Sequence, residues 1–290
     1  MSGANQQPEA SLAPLGLIAG EGEFPHLVAR GARAAGRSVV IVALRGSADP
    51  ALRTLADVFR WRGVVQLGRW IRVLRRAGCR DVVMAGRVRK SDMFAGPRWL
   101  QWLRYVPDLT SIRVWYFRAR DRRNDSLLGA VADELARNGL TLIDSTRYCP
   151  EALAAEGVLT PFEPPRQVVD DAAFAWPLAK QIAALDIGQA VAVKEREIIA
   201  VEAIEGTDRL IRRTAELCPQ GGWTLVKVAK PKQDMRFDVP TVGPNTIENL
   251  ARARAAGLVI EAGKTLVLER EKFVEAARRA RIAVIARGDG

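Results

Sequence analysis

Short apolar runs alternate with amphipathic stretches along the first half of the chain. The runs predict strands, and the amphipathic stretches predict helices, each closed by a glycine. The predicted strands are Leu15–Ala19, Ser38–Leu44, Asp81–Ala85 and Thr141–Ile143, and the predicted helices are Pro25–Ala35, Trp70–Ala77 and Ser126–Asn138. Repeated strand–glycine–helix units favour a parallel sheet with right-handed crossovers. We therefore expect an α/β protein whose first domain is Rossmann-like.

The second half shows a mixed pattern. Strands are predicted at Ala190–Val193, Ile198–Ile204, Thr224–Val228, Leu258–Ile260 and Leu266–Leu268, and helices at Phe174–Leu185, Asp208–Leu217, Thr246–Ala256 and Arg270–Ala280. Prolines cluster between the halves, at Pro150, Pro161, Pro164 and Pro165, which is typical of a domain boundary. We expect a disordered tail at 1–14, an N-terminal domain at 15–148, a linker at 149–166 and a mixed α/β catalytic domain at 167–290.

Composition narrows the classes of function. The chain has 290 residues, 48% of them hydrophobic, with no apolar run long enough to span a bilayer and no signal-peptide pattern. Three separated cysteines favour a reducing cytoplasm and argue against a structural zinc site. The lone histidine, His26, excludes a His-rich metal site. We therefore expect any metal to be Mg²⁺ or Mn²⁺ held by oxygen ligands.

Positive charge is concentrated in the segment Arg60–Arg123. It contains 17 Lys and Arg against 4 Asp and Glu, a net charge of +13, whereas the whole chain carries +11. Five of the seven tryptophans also lie in this segment. Basic and aromatic residues together suit anionic lipid head groups or single-stranded nucleic acid. The alternative is a solvated basic face whose tryptophans belong to the core.

A first candidate ligand loop follows the first strand. Gly20-x-Gly22 resembles half of a dinucleotide fingerprint, but the third glycine is absent, and Arg45 rather than an acid follows the next strand. The loop is either a tight structural turn or a turn whose backbone amides approach a phosphate or uridine. We assign His26 to packing or to the surface, and Asp125 to the N-cap of its helix.

An acidic motif lies between a strand and a helix of the second half. Glu202 and Glu205 occur within or just after the apolar run 198–204, and Thr207 and Asp208 follow. Thr207 or Asp208 could simply cap the helix. Because capping does not explain the two glutamates, we favour a functional role for the motif.

The strongest candidate site is the loop Lys230–Asp238, which follows a predicted strand and precedes a helix. Strand ends of this kind carry phosphate chemistry in α/β proteins. Asp234 and Asp238 would lie about 13 Å apart in an extended loop, at roughly 3.3 Å per residue, and could then not share one ion. In a bent loop they could. The surrounding prolines favour an irregular loop, and both alternatives stay open.

The helix after this loop is predicted to begin at Asn245 or Thr246. Asn245-x-x-Glu248 has the spacing of a variant capping box. The partial positive charge of a helix N-terminus could also hold a phosphate oxygen. Capping and phosphate binding are therefore both expectations for this position.

These motifs resemble those of one family. They are Gln189-Ala-Val-Ala-Val-Lys194, Ala200-Val-Glu-Ala-Ile-Glu-Gly-Thr-Asp208, Lys230-Pro-x-Gln-Asp-x-Arg-Phe-Asp-Val-Pro240 with Gly243 and Thr246, and Gly16-Leu-Ile-Ala-Gly-x-Gly22 with Pro25. The chain is similar, over nearly its whole length, to the Mg²⁺-dependent UDP-2,3-diacylglucosamine diphosphatases of lipid A biosynthesis. The resemblance is to the type unrelated to calcineurin-like metallophosphoesterases.

The resemblance implies hydrolysis of UDP-2,3-diacylglucosamine to UMP and 2,3-diacylglucosamine 1-phosphate, with water attacking the phosphorus nearer the sugar. It implies two domains with the substrate between them, a bound Mg²⁺ and a homodimer. It also implies a cytoplasmic enzyme that is peripheral on the inner membrane of a Gram-negative bacterium. An essential aspartate is expected, and the motif leaves open whether this is Asp234 or Asp238.

Residue chemistry and the resemblance together give a set of candidate roles. The catalytic candidates are Asp234 and Asp238, and the metal ligands are Glu205, Asp208, Asp234 and Asp238. The candidate substrate-binding residues are Gly20, Gly22, Gln189, Lys194, Thr207, Lys230, Gln233, Arg236, Thr241, Asn245 and Thr246. Carboxylates would hold the ion, and the lysines and arginine would neutralise the diphosphate.

Two alternatives come from other classes of function. One is a soluble nucleotide-sugar diphosphatase whose substrate has no acyl chains. The other is a nucleic-acid-binding protein that uses the segment Arg60–Arg123, and it would show steep salt dependence. This second alternative leaves the acidic motifs unexplained, because carboxylates without a metal repel phosphates. We therefore expect no nucleic-acid partner.

Overall fold

The computed structural model describes residues 13–88, 107–117, 124–231 and 233–288, with side chains for all of these except 115–117 and 124–126. Contacts divide the chain into an N-terminal unit, Met1–Cys149, and a C-terminal unit, Pro150–Gly290. The predicted tail at 1–14 lies outside the described residues up to residue 12. Ala13 is tied to the N-terminal unit, because its carbonyl accepts hydrogen bonds from Nε and Nη2 of Arg37 at 2.9 and 2.6 Å.

The N-terminal unit is built on a parallel sheet of order β3-β2-β1-β4-β5. Its strands are β1 (Leu15–Ala19), β2 (Val39–Leu44), β3 (Val58–Arg62), β4 (Asp81–Ala85) and β5 (Thr141–Leu142). Its described helices are α1 (Phe24–Ala34), α2 (Leu67–Arg76), α3 (Leu109–Phe117) and α4 (Asn124–Arg137), with a 3₁₀ turn at Pro50–Leu55. Strands β1 and β2 are buried throughout, as expected when helices cover both faces. The Rossmann-like prediction is confirmed.

Strand β3 was not predicted from the sequence. Its residues, Val58-Phe-Arg-Trp-Arg62, place arginines at alternate positions, so the apolar run that marks β1 and β2 is missing. β3 nevertheless pairs with β2 over five residues. The strand lies at the edge of the described sheet, where one side of the strand has no neighbour and charged side chains are tolerated.

The C-terminal unit has a six-stranded mixed sheet of order β6-β13-β11-β9-β7-β8 and a two-stranded parallel pair, β10 and β12. The strands are β6 (Gly157–Val158), β7 (Ala190–Lys194), β8 (Glu197–Val201), β9 (Thr224–Lys227), β10 (Thr241–Val242), β11 (Gly257–Glu261), β12 (Leu266–Val267) and β13 (Ala283–Arg287). The helices are α5 (Arg166–Ala184), α6 (Thr207–Leu217), α7 (Pro244–Arg252) and α8 (Arg270–Ala280), with a 3₁₀ turn at Pro150–Ala152. The prediction of a mixed α/β domain is confirmed.

Helices cover both faces of this sheet. Leu210 of α6, Ile247 of α7 and Phe273 of α8 pack in one core, whereas Ala175 and Ala179 of α5 pack in another. Neighbouring residues along β7, β9 and β11 alternate between the two cores, as the period of two requires. In the described part of the chain, no helix is long and apolar enough to cross a membrane.

Apart from Cys149, the segment predicted as a linker, 149–166, takes part in the C-terminal unit. β6 pairs antiparallel with β13, and Leu153 forms a bridge with Leu266. Helix α5 then begins at Arg166 rather than at Phe174, directly after Pro165. The prolines that suggested a linker instead keep the chain extended before α5 and mark the start of that helix. Proline favours the positions just before and within a first helical turn.

Strand β7 runs antiparallel to both β8 and β9. A two-residue turn, Glu195-Arg196, joins β7 to β8, and both residues have positive φ, 51° and 62°. Asp171, which is fully buried, accepts a 2.8 Å hydrogen bond from the backbone N–H of Arg196. The direction of β7 decides which motif residues come together, because it brings the start of this strand to the ends of its neighbours.

Candidate active site

Polar and charged residues collect at one edge of the C-terminal sheet, which we call the carboxyl edge. It comprises the ends of β8, β9 and β11 and the start of β7. Ala190, at the start of β7, pairs with Lys227 at the end of β9, and Val191 pairs with Val201 at the end of β8. The segments that leave this edge therefore include Gln189, 202–208, 228–238 and 261–264.

Glu202 ties two of these segments together. It is 5% exposed; its Oε2 accepts a hydrogen bond from the Gln189 N–H at 3.2 Å, and its Oε1 accepts one from Thr207 Oγ1 at 2.8 Å. These bonds explain why β8 stops at Val201 and does not continue to Ile204 as predicted. Glu202 thus positions Gln189 and Thr207, two of the predicted substrate-binding residues.

Gln189 has an uncommitted acceptor. Its side-chain Oε1 is buried and has no hydrogen-bond partner among the described residues. A buried amide oxygen without a donor costs about 1–3 kcal/mol. A ligand that offers an N–H or O–H would offset that cost, so the position fits the predicted role in substrate binding.

The loop 229–238 is bent. The Asp238 N–H donates to the Asp234 carbonyl at 3.0 Å, which closes one turn. Gln233 braces this turn, because its Oε1 accepts from the Lys230 N–H at 2.9 Å and its Nε2 donates to the Asp238 carbonyl and carboxylate at 2.5 and 2.6 Å. Of the two geometries considered above, the bent one is present, and Asp234 and Asp238 belong to the same turn.

Asp234 is paired with Arg236 of that turn. Arg236 Nε lies 2.9 Å from Oδ1, and Nη2 lies 2.6 Å from Oδ2. The hydrogen bonds from this guanidinium lower the pKa of Asp234 below its ordinary value, against a smaller opposing effect of burial. Asp234 is therefore held as a carboxylate, the form that binds cations.

Replacement of Arg236 by Gln is expected to raise the pKa of Asp234 toward the ordinary value of an aspartate. Since the folded-state pKa is depressed, the pair stabilises the folded protein above the unfolded-state pKa, and this stabilisation is lost as the pH falls through the folded-state pKa. An NMR titration of the Asp234 carboxyl carbon measures the shift. The exposed Arg209→Gln serves as control, and an unchanged Asp234 titration in Arg236→Gln would contradict the assignment.

The other two predicted metal ligands have structural partners. Glu205 accepts from Arg213 Nη2 at 2.6 Å and from the Ala203 N–H at 3.1 Å, and backbone hydrogen bonding is the largest cause of its lowered pKa. Asp208 accepts from Asn249 Nδ2 at 3.0 Å, which links α6 to α7. Both carboxylates thus fasten the start of α6.

The four predicted ligands do not form one metal cluster. Within 13–88, 107–117, 124–231 and 233–288, no group of three His, Cys, Asp or Glu side chains could hold an ion. Mg²⁺, however, is commonly bound through one or two carboxylates together with substrate phosphates and water. Asp234 and Asp238 lie on one turn and match this kind of site, in which the protein supplies only one or two carboxylates. Glu205 and Asp208 do not join them.

Two lysines, Lys227 and Lys230, lie at the loop 229–238. Lys230 Nζ lies 2.6 Å from Asp186 Oδ1. Lys227, which is 7% exposed, donates to the Thr241 carbonyl at 3.3 Å. The carboxyl edge therefore offers cationic groups next to the two aspartates, as a site for a diphosphate requires.

Glu261 was missed by the sequence analysis. It ends β11, is 0% exposed, and accepts from the Ala229 N–H at 2.7 Å, from Lys180 at 3.0 Å and from Lys264 at 2.6 Å. It thereby fixes the first residue of the loop 229–238. The signal was present in the sequence, since an acid directly after the apolar run Leu258–Ile260 has the same strand-end position that drew attention to the loop after β9.

Lys194 does not join the carboxyl edge. It ends β7, a strand that starts at that edge, and so lies at the opposite edge of the sheet. Its Nζ donates to the Gly221 carbonyl at 2.8 Å. The motif placed Lys194 near Gln189 in the sequence, but five extended residues separate the two ends of the strand in space.

Three further candidates lie around the start of α7. Thr241 Oγ1 donates to the Val239 carbonyl at 2.9 Å, and Asn245 is exposed. The helix begins at Pro244, and Thr246 Oγ1 accepts from the Gly243 N–H at 3.3 Å. The predicted Asn245–Glu248 capping box is therefore wrong, and the cap pairs Gly243 with Thr246.

The loop after β1 is held against the loop after β4. Glu21 and Arg87 exchange backbone hydrogen bonds of 2.8 and 3.0 Å, and a Cβ on Gly20 would lie 2.6 Å from the Arg87 carbonyl. Gly20 is thus required for close packing. Gly22 has φ +103° with open space beside it, so this glycine is where a ligand could approach the backbone.

The structure describes only some of the other residues of the N-terminal unit that the sequence analysis singled out. His26 Nε2 lies 3.1 Å from Asp49 Oδ2, in keeping with a packing role. The side chain of Asp125 lies outside the described residues, as do several side chains of the basic, tryptophan-rich segment Arg60–Arg123, namely Trp99, Trp102, Trp115, Arg118, Arg120, Arg122 and Arg123.

The fold and the carboxyl edge define a two-domain α/β protein with carboxylate and cationic groups at strand ends. Comparison with known proteins gives the family. The LpxI N-terminal domain matches residues 14–152 and the LpxI C-terminal domain matches residues 155–285. The chain therefore belongs to the LpxI family. It is 36% identical over 274 residues, 91% of this chain and 93% of the relative, to the UDP-2,3-diacylglucosamine pyrophosphatase LpxI of Caulobacter vibrioides.

Proposed function

We propose that this protein hydrolyses the diphosphate of UDP-2,3-diacylglucosamine, a step of lipid A biosynthesis. The observation that carries the proposal is the match of both domains to one family, together with a relative of that name over nearly the whole chain. The carboxyl edge of the C-terminal sheet adds chemical support. The products are UMP and 2,3-diacylglucosamine 1-phosphate.

The reaction requires neutralised charge and an oriented water. Water attacks the phosphorus nearer the sugar, the new P–O bond forms, and the anhydride P–O bond breaks to release UMP. Lys230 and Arg236 bind phosphate oxygens in place of Asp186 and Asp234, because a diphosphate attracts these cations more strongly than one carboxylate. The carboxylate that Arg236 releases, or that of Asp238, then orients the water and accepts its proton.

Asp234 and Asp238 would hold Mg²⁺ in this site. When bound, the ion polarises the phosphoryl group and offsets charge on the leaving phosphate. The protein contributes the bent loop, which Gln233 and Glu261 fix by hydrogen bonds. Gln189 contributes the buried amide oxygen, which suits a donor on uracil or on the sugar.

The acyl chains of the proposed substrate suggest that the protein acts at a membrane surface. Leu185 and Ile187 are 70% and 51% exposed beside Asp186, the partner of Lys230, and Ile204 is fully exposed between Glu202 and Glu205. Exposed apolar residues beside a polar site suit contact with lipid. We propose peripheral association with the cytoplasmic face of the inner membrane. We also propose a homodimer, on the family resemblance, and sedimentation of the purified protein would test it.

The central test is UMP release by the purified protein. With Mg²⁺, UDP-2,3-diacylglucosamine should yield UMP, and excess EDTA should lower the rate by at least about tenfold, with recovery on added Mg²⁺. UDP-N-acetylglucosamine is the matched substrate without the two acyl chains. No UMP from either substrate would refute the proposal, and equal rates on both would favour a nucleotide-sugar diphosphatase that does not recognise acyl chains.

A further inference from the structure

A cavity of about 360 Å³ on the N-terminal unit is lined almost entirely by arginines. Its lining residues are Arg62, Arg69, Arg72, Val73 and Arg76. Arg62 ends β3, whereas the other three arginines belong to α2. Their spacing of three and four residues places them on one face of the helix. The sequence and the fold thus bring four guanidinium groups around one space.

The arginines of this cavity have no carboxylate partners in the described part of the chain. Arg62 Nη1 donates to the Trp61 carbonyl at 2.7 Å, but its Nε is buried and has no hydrogen-bond partner among the described residues. Burial lowers the pKa of Arg62, and the positive charges of nearby arginines, first Arg69, lower it further. Like charges held this close favour the binding of an anion.

Asp108, an acid beside the start of α2, is occupied elsewhere. Asp108 Oδ2 accepts from the Arg69 N–H at 3.0 Å, and its Oδ1 accepts from the Ser111 N–H at 2.9 Å. These bonds commit Asp108 to the backbone at the start of α2. It is not within ion-pair distance of the guanidinium groups that line the cavity.

We propose that Arg62, Arg69, Arg72 and Arg76 form a binding site for a phosphate-bearing anion on the N-terminal unit. A phosphate offers several oxygens to guanidinium forks, which bind such groups in bidentate fashion. Arg62 adds an Nε donor that has no hydrogen-bond partner among the described residues. The same chemistry is offered by a phospholipid head group and by a soluble diphosphate, and the cavity is large enough for either.

The test measures binding to the full-length protein in EDTA, so that no turnover is needed. The probes are inorganic pyrophosphate, by titration calorimetry, and vesicles of phosphatidylcholine with or without phosphatidylglycerol, by sedimentation. The variant Arg69→Gln/Arg72→Gln/Arg76→Gln changes three exposed residues. The matched control, Arg166→Gln/Arg252→Gln/Arg270→Gln, removes the same charge from exposed positions of the C-terminal unit.

The α2 variant should lose at least about tenfold in affinity for one of these probes, since the loss of a single charge-assisted hydrogen bond is enough for a change of that size. The control should stay within about twofold. Loss with pyrophosphate indicates a soluble phosphate, and loss only with anionic vesicles indicates a head group. Arg62→Lys, which keeps the charge but lacks Nε, should also weaken binding.

Three results would overturn the proposal. They are equal losses in the α2 and control variants, which would show an effect of net charge alone; binding of neither probe by the wild type; and, in a parallel titration with a single-stranded DNA oligonucleotide, an α2 effect on that ligand alone. The outcome is independent of catalysis. A protein that fails to release UMP can still bind pyrophosphate at this site, and an active enzyme can lack such binding.

Discussion

Asp234→Asn is expected to lower kcat for the diacylated UDP-sugar by about 10²–10⁴-fold, the usual range for loss of a group that moves a proton. The substitution keeps the size of the side chain and an acceptor for Arg236, but removes the negative charge. That charge is needed both to hold a cation and to receive a proton. Steady-state UMP release, with circular dichroism to verify folding, measures the effect.

Asp238→Asn is the informative companion variant. Asp238 shares the turn with Asp234 but is braced by the Gln233 amide rather than by a guanidinium. Asp133→Asn, at an exposed position of the N-terminal unit, serves as a control for loss of one aspartate charge. Unequal losses would identify which aspartate is essential. Full activity in both site variants would contradict the role of this turn in catalysis.

Glu261→Ala is expected to lower the free energy of unfolding by about 3–5 kcal/mol, the typical cost of breaking a buried ion pair. The change removes the carboxylate that balances Lys180 and Lys264, and it leaves the buried Ala229 N–H without its acceptor. Because Ala229 begins the loop that carries Asp234, activity should fall as well. Denaturant unfolding of the purified variant measures the stability.

Two further variants make this prediction specific. Glu216→Ala removes an exposed glutamate from α6 and should change stability by no more than about 0.5 kcal/mol. Glu261→Gln retains an acceptor for the Ala229 N–H and should recover part of the lost activity. A loss below about 1 kcal/mol in Glu261→Ala would show that Glu261 does not anchor the loop.

The loop after β9 could be predicted as a candidate site from the sequence, because the pattern that marks it lies within one short stretch of the chain. Charged residues and prolines follow an apolar strand there, and strand ends of α/β sheets face ligands. The bend of the loop needed the structure, because it depends on Gln233 reaching both Lys230 and Asp238. No pattern of polar and apolar residues encodes such a side-chain contact.

The misplaced residues have a common cause. Alternation along a strand shows which side chains share a face, but not the direction of the strand beside its neighbours. Lys194 and Gln189 belong to one motif but lie at opposite ends of β7, and the antiparallel course of this strand places Gln189, not Lys194, at the carboxyl edge. The same reversal brings Gln189 next to Glu202, thirteen residues later in the chain.

The turn between β7 and β8 offers a practical site for labelling. Glu195 and Arg196 are exposed, and both occupy left-handed backbone conformations that Asn and Gly adopt more readily. They lie about 17 Å from the carboxyl edge, the length of one five-residue strand at roughly 3.3 Å per residue. A fluorophore on Glu195, or a short affinity tag inserted after it, would follow the protein on vesicles while leaving the aspartate turn untouched.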